Sequence, residues 1–242
     1  MLYLYNYFHQ KTKDSSEGGL VRIPKDTSLW PLNWKTIEYK TVERAPFTAL
    51  PPHSKKTYDL LEAISKRASP ETFKGDSISL EQLGTLLQLS YGEWEEKAGG
   101  RRPVPSGGAR YPIELYILAW NVTGLEAGVY HYNIQRHGLE RYVWETFDKE
   151  NIASLVSYDF VATGSALVIM TGVFPRTTAK YGSRGYRYAL LEAGHIGQNM
   201  YLLSGYTGIQ VRALAGTHDT EIEKLLNVDG TYESLVYAIA LG

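Results

Sequence analysis

The sequence contains no cysteine in its 242 residues. Disulfide bonds, thiolate metal sites and cysteine nucleophiles are therefore excluded, and this composition fits a reducing cytoplasm. No run reaches about 18 apolar residues, the length that a membrane-spanning helix needs. The N-terminal stretch MLYLYNYFHQK lacks the basic segment that opens a signal peptide. We therefore expect a cytoplasmic protein without a membrane span.

A strong charge of one sign and the common catalytic motifs are also missing. The chain has 25 basic and 26 acidic residues, so it lacks the basic field typical of nucleic-acid-binding proteins. It contains no P-loop, no G-x-G-x-x-G dinucleotide fingerprint and no G-x-S-x-G nucleophile elbow. Its six histidines show no spacing typical of metal ligands. We expect neither nucleic-acid binding nor a metal site.

The chain is long enough for one large domain, and its composition changes at about residue 56. Glycines and prolines interrupt every periodicity before that point, which predicts an irregular N-terminal arm over residues 1–56. Trp30 and Trp34 indicate that this arm packs against the rest of the chain. Residues 57–242 are predicted to form a single catalytic domain.

The hydrophobic pattern of that domain predicts an alternation of helices and strands. A helix at about 57–67 ends before Pro70, and a second helix follows Ser79, where Gln82 completes a capping box. The other predicted elements are strands at 113–120, 129–132, 139–143, 166–174, 209–214 and 234–241, and helices at 150–157, 186–204 and 219–226. Strands separated by helices, with a hairpin in the middle, favour an α+β sandwich with a mixed sheet.

The stretch from Arg176 to Met200 predicts a helix with two distinct faces. One stripe carries small residues at every fourth position: Ala189, Ala193 and Gly197. A second stripe is polar: Tyr188, Glu192, His195 and Asn199. Small residues let another backbone approach closely, which fits a dimer contact. The alternative is a core helix whose polar groups are satisfied inside the chain.

Three short segments have compositions that suit a ligand. Arg67-Ala68-Ser69 combines a guanidinium with a hydroxyl, a pair that suits a phosphate. Pro105-Ser106-Gly107-Gly108-Ala109 can lay backbone against a flat heterocycle, because glycine has no Cβ. Leu214-Ala215-Gly216 is the third segment. Each alone is more often a plain turn, so their value lies in occurring together with the pair Lys180-Tyr181.

Similarity to a known family is densest in RTTAKYGSRGYRYALLEAGHIGQN, residues 176–199. Weaker matching runs are FHQKTKDS (8–15), KRASPETF (66–73), SLEQLGTLLQLSYG (79–92), RRPVPSGGARYPIELYIL (101–118), GVYHYN (128–133) and IEKLLNVDGTYESLVYAIALG (222–242). Together they resemble the SagB-type dehydrogenases of the nitroreductase superfamily, the flavin-dependent azoline dehydrogenases of thiazole- and oxazole-modified peptide biosynthesis. The run Lys-Tyr-Gly-x-Arg-Gly-Tyr-Arg-Tyr is specific to this branch.

The resemblance implies a nitroreductase-like three-layer α+β sandwich, with a mixed, mainly antiparallel sheet and helices on both faces. It also implies a homodimer that binds FMN at the subunit interface. The implied cofactor-binding residues are Arg67, Ala68, Ser69, Pro105, Ser106, Gly107, Ala215 and Gly216. Residues 67–69 would hold the phosphate and ribityl chain, and residues 105–107 would lie against the isoalloxazine from the partner subunit. Residues 215–216 would face its redox-active edge.

The same resemblance implies that Lys180 and Tyr181 are the catalytic pair. Azoline oxidation removes a proton from a ring carbon and passes a hydride to the flavin, so the protein must supply a positioned base. A lysine acts as a base only when its neutral form is populated, which desolvation and nearby cations favour. Desolvation together with Arg176, Arg184 or Arg187 is expected to lower the pKa of Lys180. The alternative is that Lys180 simply pairs with an acid such as Glu192.

The resemblance further implies a ribosomal peptide substrate and a cyclodehydratase partner. Two other functions stay open: a general NAD(P)H-dependent nitroreductase, and a flavin-poor structural subunit of a peptide-modifying complex. The last is motivated by Glu71, which stands where the family usually has an arginine or lysine near the phosphate. A negative charge at that position would weaken phosphate binding.

Overall fold

The computed structural model describes residues 4–13, 23–53, 56–94, 100–143 and 149–242, so residues 14 and 15 of the FHQKTKDS run lie outside it. The α-helices are α1 Leu4–Lys11, α2 Leu60–Lys66, α3 Leu80–Tyr91, α4 Lys149–Leu155, α5 Pro175–Tyr181, α6 Gly185–Thr207 and α7 Asp219–Leu225. The β-strands are β1 Phe47–Ala49, β2 Ile78–Ser79, β3 Ile113–Ala119, β4 Val122–Thr123, β5 Gly128–Asn133, β6 Gly138–Val143, β7 Ala166–Val173, β8 Val211–Leu214 and β9 Glu233–Leu241.

The main sheet has seven strands in the order β1-β6-β5-β3-β7-β9-β8. Every neighbouring pair within it is antiparallel, whereas β2 and β4 form a separate parallel pair. Strand β7 is buried along its whole length, as its continuous apolar, β-branched run predicts. The predicted antiparallel character is therefore confirmed, whereas the prediction of a mixed sheet is wrong, because the parallel pair of the described residues lies outside the main sheet.

Helices cover the sheet on both faces, because alternate residues of each strand point to opposite sides. Ile113 and Leu115 of β3 belong to an apolar cluster with residues of α3 and α6. Tyr116 and Leu118 of the same strand belong to a second cluster with residues of α4 and α7. The three-layer α+β sandwich is therefore confirmed.

Helix α3 begins where its sequence predicts. The Ser79 hydroxyl accepts a hydrogen bond from the Gln82 amide at 3.2 Å, and the Gln82 side chain accepts one from the Ser79 amide at 2.9 Å. These reciprocal bonds satisfy two amides that the first helical turn leaves without partners. The predicted capping box is therefore confirmed.

The small-residue stripe of α6 packs inside its own chain. Ala189 and Ala193 are buried in the apolar cluster beneath the helix. At Gly197 a Cβ would lie 2.7 Å from the ring of Tyr237 on β9, so only glycine lets the two elements approach this closely. The prediction that this stripe makes a dimer contact is wrong, because the sheet of the same chain occupies it.

The N-terminal arm is more regular than its glycines and prolines predict. It contains α1 and the strand β1, which pairs with β6 at one edge of the main sheet. A Cβ at Gly138 would overlap the Phe47 ring, so the glycine lets β1 lie close to β6. The arm does pack on the rest of the chain, and its boundary at residue 56 stays a prediction. Among the described helices, none is long and apolar enough to cross a membrane.

Candidate functional site

Lys180 lies near the end of α5 and is only 2% exposed. Its Nζ lies 3.6 Å from the centroid of the Trp30 ring and 5.8 Å from that of Trp34. Burial, followed by repulsion from Arg110, lowers the pKa of Lys180. A lower pKa increases the fraction of neutral amine, which is the form that can accept a proton.

The arm segment that carries both tryptophans covers Lys180 with few contacts of its own. It consists of two 3-10 turns, Thr27–Leu29 and Leu32–Trp34, and neither contains a buried residue. The Trp34 indole donates a hydrogen bond to the Ala179 carbonyl at 3.2 Å. The Arg110 guanidinium donates to the Thr36 carbonyl at the end of the segment. This surface segment therefore contributes to shielding Lys180 from water.

Tyr181 follows Lys180 and contacts the same turn. A Cβ at Gly108 would overlap the Tyr181 hydroxyl and lie 3.1 Å from Lys180 Nζ, so both groups meet at this glycine. The Tyr181 ring packs edge-on against Tyr188, with 5.0 Å between centroids. Burial is the main cause of its raised pKa, so the hydroxyl keeps its proton and can donate a hydrogen bond.

The turn at Ser106–Ala109 has an unusual backbone. Gly108, Ala109 and Tyr111 have φ values of 64°, 52° and 45°, in the left-handed region that side chains disfavour. The Ser106 hydroxyl accepts a hydrogen bond from the Tyr111 amide at 2.8 Å and helps hold this path. A Cβ at Gly107 would lie 3.1 Å from the Tyr188 ring. The structure thus brings Gly108 together with Lys180 and Tyr181, and the predicted cofactor-binding residue Gly107 lies next to it against Tyr188.

The arginines that the sequence proposes as neighbours of Lys180 are engaged elsewhere. Arg176 pairs with Glu114 at 2.5 Å. Arg184 donates to the Thr12 carbonyl at 3.0 Å, and Arg187 donates to the His9 carbonyl at 2.7 Å; both acceptors belong to the FHQKTKDS run. The prediction that Arg176, Arg184 or Arg187 lowers the pKa of Lys180 is wrong, because the repulsion comes from Arg110, whereas the predicted desolvation is confirmed as the larger cause.

Glu192 does not pair with Lys180, which was the alternative to catalysis. Its Oε1 accepts a hydrogen bond from the Tyr91 hydroxyl at 2.9 Å, and its Oε2 is buried without a partner among the described residues. Burial raises the pKa of Glu192 to about 7, although Ser106, Tyr91 and nearby arginines oppose the rise. The carboxyl group therefore changes charge near neutral pH.

The segment Arg67-Ala68-Ser69 lies at the other end of α6. A hydrogen bond of 2.9 Å joins the hydroxyls of Ser69 and Tyr201, and the Ala213 amide donates to Tyr201 at 2.8 Å. The Arg67 guanidinium lies 5.5 Å from the centroid of the Tyr201 ring. Residues 67–69 are exposed, as is Ala215 beyond β8. The structure thus brings residues 67–69 together with the end of β8.

Arg212 fixes the backbone that follows this segment. Its guanidinium donates to the Pro70 carbonyl at 2.5 Å and to the Glu71 carbonyl at 3.0 Å. The Glu71 side chain is exposed, and the described residues show no ion pair between it and Arg67. The Arg67 guanidinium and the Ser69 hydroxyl are therefore both available to an anionic ligand.

The two groups of candidate residues do not meet in one chain. Tyr188 packs on the turn at Gly107, and Tyr201 contacts Ser69, so α6 separates the two groups. At 1.5 Å per residue, Tyr188 and Tyr201 are about 20 Å apart along the helix axis. Each end of α6 therefore carries one half of the predicted cofactor site.

A buried polar network lies beneath α5. His131 bridges two carboxylates, with 2.9 Å from its Nε2 to Glu114 and 3.0 Å from its Nδ1 to Glu140. Glu114 also accepts from Arg176, which lies in the first turn of α5, one turn before Lys180. The network therefore anchors the helix that carries the candidate catalytic pair.

Sequence reasoning missed three charged residues around the site. Arg102 lies 4.5 Å from the ring centroids of both Tyr91 and Tyr111, and its Nε and Nη1 are buried without partners in the described part of the chain. Arg102 and Arg110 flank the glycine turn in the sequence, and this position could have indicated that both lie near the site. Glu114 was also detectable, as a lone carboxylate in an otherwise apolar strand.

Relatives of the chain are found among nitroreductases and peptide-processing proteins. A Methanocaldococcus jannaschii protein named as a nitroreductase is 33% identical over 169 residues, which cover 70% of this chain and 84% of the relative. The microcin B17-processing protein McbC of Escherichia coli is 38% identical over 162 residues, covering 64% of this chain and 58% of McbC. The trifolitoxin-processing protein TfxB of Rhizobium leguminosarum is 32% identical over 146 residues, which cover 58% of this chain and 39% of TfxB. The match thus spans less than two thirds of either processing protein.

Solved structures share the fold at lower identity. A nitroreductase-fold protein of Anabaena variabilis has a TM-score of 0.78 at 24% identity, covering 99% of this chain and 47% of that one. A chain of the E. coli microcin synthetase McbBCD complex has a TM-score of 0.65 at 24% identity, and the match covers 99% of this chain and 91% of that one. A Desulfovibrio desulfuricans protein has a TM-score of 0.53 at 17% identity, covering 77% and 87%.

The sequence pattern of the nitroreductase family matches residues 64–242, about three quarters of the chain. The predicted resemblance to the SagB-type branch is confirmed by the matches to McbC and TfxB. The chain belongs to the nitroreductase family.

Proposed function

We propose that the chain is an FMN-dependent dehydrogenase that oxidises azoline rings to azoles in a ribosomal peptide. The observation that carries the proposal is the pair Lys180-Tyr181: Lys180 is shielded from water, and both side chains meet the glycine turn at Gly108. A buried amine with a lowered pKa suits the removal of a proton from a ring carbon. This pair also opens the run Lys-Tyr-Gly-x-Arg-Gly-Tyr-Arg-Tyr, by which the sequence resembles the SagB-type branch.

The chain offers suitable groups for both ends of FMN. An exposed guanidinium at Arg67 and a hydroxyl at Ser69 suit its phosphate and ribityl chain. The turn at Ser106–Gly108 presents backbone without side chains, which suits a flat ring system. The fold neighbour from Desulfovibrio desulfuricans was crystallised in complex with FMN, which supports this cofactor.

A homodimer accounts for the separation of these groups. The phosphate-binding residues and the glycine turn lie at opposite ends of α6, about 20 Å apart along its axis. A second copy related by two-fold symmetry would place the glycine turn of one subunit beside Arg67 and Ser69 of the other. We therefore propose that each flavin site uses residues from both subunits.

The relatives support a peptide as the substrate. McbC and TfxB are named as processing proteins of microcin B17 and trifolitoxin. The McbBCD complex, whose chain shares this fold, was solved with a truncated pro-MccB17 bound. We propose that this chain likewise acts on a peptide whose azoline rings a cyclodehydratase has formed.

In this mechanism the residues of the chain handle the proton and hold the ring. Bound FMN supplies the hydride acceptor. Neutral Lys180 takes the proton from one ring carbon, and the hydride leaves from the neighbouring carbon, so the ring loses two hydrogen atoms and becomes aromatic. The Tyr181 hydroxyl, which keeps its proton, donates a hydrogen bond that orients the ring beside Lys180. The segment with Trp30 and Trp34 excludes water from the amine.

The test is azoline oxidation by the FMN-loaded protein, followed by mass spectrometry of a peptide that carries azoline rings. We expect Lys180→Ala to keep the flavin spectrum and to lose activity by about 10²–10⁴-fold, the usual contribution of a general base. Lys66→Ala, at an exposed lysine, is the matched control. A Lys180→Ala protein that binds flavin and oxidises azolines at the original rate would overturn the assignment.

A general nitroreductase is the second candidate, because the relative from Methanocaldococcus jannaschii is named as one. That function requires rapid reduction of the bound flavin by NAD(P)H, with transfer of electrons to nitroaromatics or quinones. Fast turnover of these substrates together with inactivity on azoline peptides would favour it. Wild-type protein that takes up no FMN at all would favour the structural-subunit alternative instead.

A further inference from the structure

The amine of Lys180 is closed to a peptide in the chain as it is folded. Lys180 is only 2% exposed, and the face of the Trp30 ring lies 3.6 Å from its Nζ. A base must come within hydrogen-bond reach of the proton that it removes, directly or through one water molecule. A substrate ring therefore needs the space that the Trp30 indole fills.

Trp30 belongs to a short turn that is held together by its own hydrogen bonds. We call residues 24–30 the Trp30 turn. The Trp30 indole donates to the Pro24 carbonyl at 2.8 Å, which closes the turn. The Asp26 carboxylate accepts from the Ser28 amide, also at 2.8 Å, and caps the 3-10 helix inside it. Because these bonds are internal, the turn can move as one unit without losing them.

The Trp30 turn is weakly attached to the catalytic domain. Pro24 and Trp30 are half-buried, and the other residues of the turn are exposed. Among the hydrogen bonds between described residues, the one that leaves the turn joins the Ser28 carbonyl to Lys35 Nζ, which is also in the arm. The described residues thus attach the turn through its indole, which faces Lys180.

The part of the arm that follows is firmly anchored, in contrast to the Trp30 turn. Lys40 Nζ pairs with Glu233 at 2.6 Å. The Glu140 carboxylate accepts a hydrogen bond from the Val42 amide at 2.9 Å. Glu233 and Glu140 are both buried residues of the main sheet. The contrast places the freedom to move in the Trp30 turn and not in the arm as a whole.

We propose that the Trp30 turn is an intramolecular occupant of the substrate site: the Trp30 indole lies where the azoline ring binds, and the peptide displaces it. This inference rests on the proposed function, which supplies the ring. The indole and an azole are both flat, so one ring replaces the other over Lys180. Trp34, whose indole donates to the Ala179 carbonyl at 3.2 Å, stays in place and excludes water together with the bound ring.

This exchange makes the turn selective for modified peptides. A peptide with a ring replaces the contact that the indole makes with Lys180, whereas a linear peptide has no flat ring at that position and leaves the turn closed. The attraction between a lysine ammonium and an indole face favours the closed turn by about 2- to 30-fold. A site that is open for only part of the time binds its ligand more weakly in proportion. Trp30→Ala should therefore bind a ring-bearing peptide about 2- to 30-fold more tightly than wild type.

The first test uses a synthetic peptide that carries one thiazole, the product ring, so that no turnover occurs. Fluorine NMR of protein labelled with fluorotryptophan follows Trp30, whose resonance is assigned with Trp30→Phe. We expect this resonance to become solvent-exposed as the peptide binds, as measured by its shift between H2O and D2O. The resonance of Trp120, whose indole donates to the Gly164 carbonyl at 2.7 Å, should stay unchanged. The same peptide with cysteine in place of the thiazole should leave Trp30 covered.

Affinities for the thiazole peptide, measured by calorimetry, provide the second readout. Leu29→Ala is the matched control, because Leu29 lies in the same turn, is 69% exposed and should leave the affinity unchanged. If Trp30 were instead a wall of the peptide site, its removal would weaken binding. The sign of the change therefore distinguishes an occupant from a wall.

The third readout needs neither peptide nor flavin. Trp30→Ala leaves a space of the size of a ring over Lys180, and free methylthiazole or indole should enter it. Either compound should slow the labelling of Lys180 by an amine-reactive reagent several-fold in Trp30→Ala. Neither should protect Lys180 further in Leu29→Ala, where the Trp30 indole still fills the space.

The outcomes separate this inference from the proposed function. If the wild type neither binds the thiazole peptide nor oxidises azolines, the proposed function fails, and protection by free rings still decides whether the place of Trp30 accepts a flat ring. The occupant role is wrong if Trp30 stays covered in the complex with the thiazole peptide, or if Trp30→Ala binds that peptide no more tightly than wild type. It is also wrong if free rings leave Lys180 of Trp30→Ala unprotected.

Discussion

Replacement of Glu114 by glutamine should destabilise the fold and release the helix that carries Lys180. Glu114 is buried in β3 and holds both Arg176, at 2.5 Å, and His131, at 2.9 Å. Glutamine keeps the size of the side chain but removes its charge. The Arg176 guanidinium then stays buried opposite a neutral amide, and α5 loses the anchor in its first turn.

The magnitude follows from the pKa of Glu114. Burial alone would raise it, but the hydrogen bond to His131 and the attraction of Arg176 lower it from 4.5 to about 2. A depression of about 2.5 units stabilises the folded state by about 3 kcal/mol at neutral pH. Removing one partner of a buried pair costs about 3–5 kcal/mol, a large fraction of the stability of a typical domain.

The sign of the pH dependence is fixed by the same values. The pKa of Glu114 is lower in the folded state than in the unfolded state. Its contribution to the free energy of unfolding is therefore complete above about pH 5 and disappears as the pH falls from 4.5 toward 2. Urea unfolding of wild type and Glu114→Gln should therefore differ by about 3–5 kcal/mol at pH 7 and converge at acidic pH. Glu62→Gln, in the exposed pair with Lys66, is the control and should change little.

A second readout comes from His131, whose pKa is raised. Burial alone would lower it, but the hydrogen bonds that His131 donates to Glu114 and Glu140 outweigh that effect. Glu114→Gln removes one of the two carboxylates, so the pKa of His131 should fall, which NMR titration can measure. Unchanged unfolding free energy at pH 7, together with an unchanged His131 titration, would refute the reasoning.

Four further substitutions test the site and the elements around it. Gly108→Ala places a Cβ at a φ of 64° against the Tyr181 hydroxyl, so thermal unfolding should show a loss of about 1–2 kcal/mol and azoline oxidation should fall. Gly194→Ala, where a Cβ meets nothing within 4 Å, should instead stabilise α6 by about 0.5–1 kcal/mol. Trp30→Ala should uncover Lys180, and its labelling by an amine-reactive reagent, followed by peptide mapping, should become several-fold faster; unchanged labelling would contradict the shielding role. Glu71→Lys should tighten FMN binding about threefold at low ionic strength, and titration in high salt should show the effect disappear.

Features that depend on neighbours in the sequence could be predicted. The capping box of Ser79 and Gln82 is a contact between residues three apart, so the start of α3 is readable from the sequence. The buried strand β7 is a continuous apolar run, and Lys180-Tyr181 is a local motif. The glycine turn was also recognisable, because its composition alone requires an unusual backbone.

Features that depend on distant partners could not be predicted. The small stripe of α6 suits a second subunit or the chain's own sheet equally well, and the position of Tyr237 against Gly197 decides between them. The short strand β1 forms only because β6 offers an edge for it. The repulsion on Lys180 comes from Arg110, which lies far away in the sequence and reaches the site because it donates a hydrogen bond to the Arg176 carbonyl of α5.

The two buried carboxylates near the site have opposite effects on stability, and this difference separates their roles. Glu114 uses both oxygens, one with Arg176 and one with His131, and its lowered pKa stabilises the fold at neutral pH. Glu192 has an unpaired oxygen and a pKa raised to about 7, so its ionised form destabilises the folded state by up to about 3 kcal/mol. Glutamine at position 192 would avoid that cost while filling the same space. A buried carboxylate that destabilises the fold when ionised is more typical of functional sites than of structural ones, so Glu192 is the candidate for a functional role and Glu114 for a structural one.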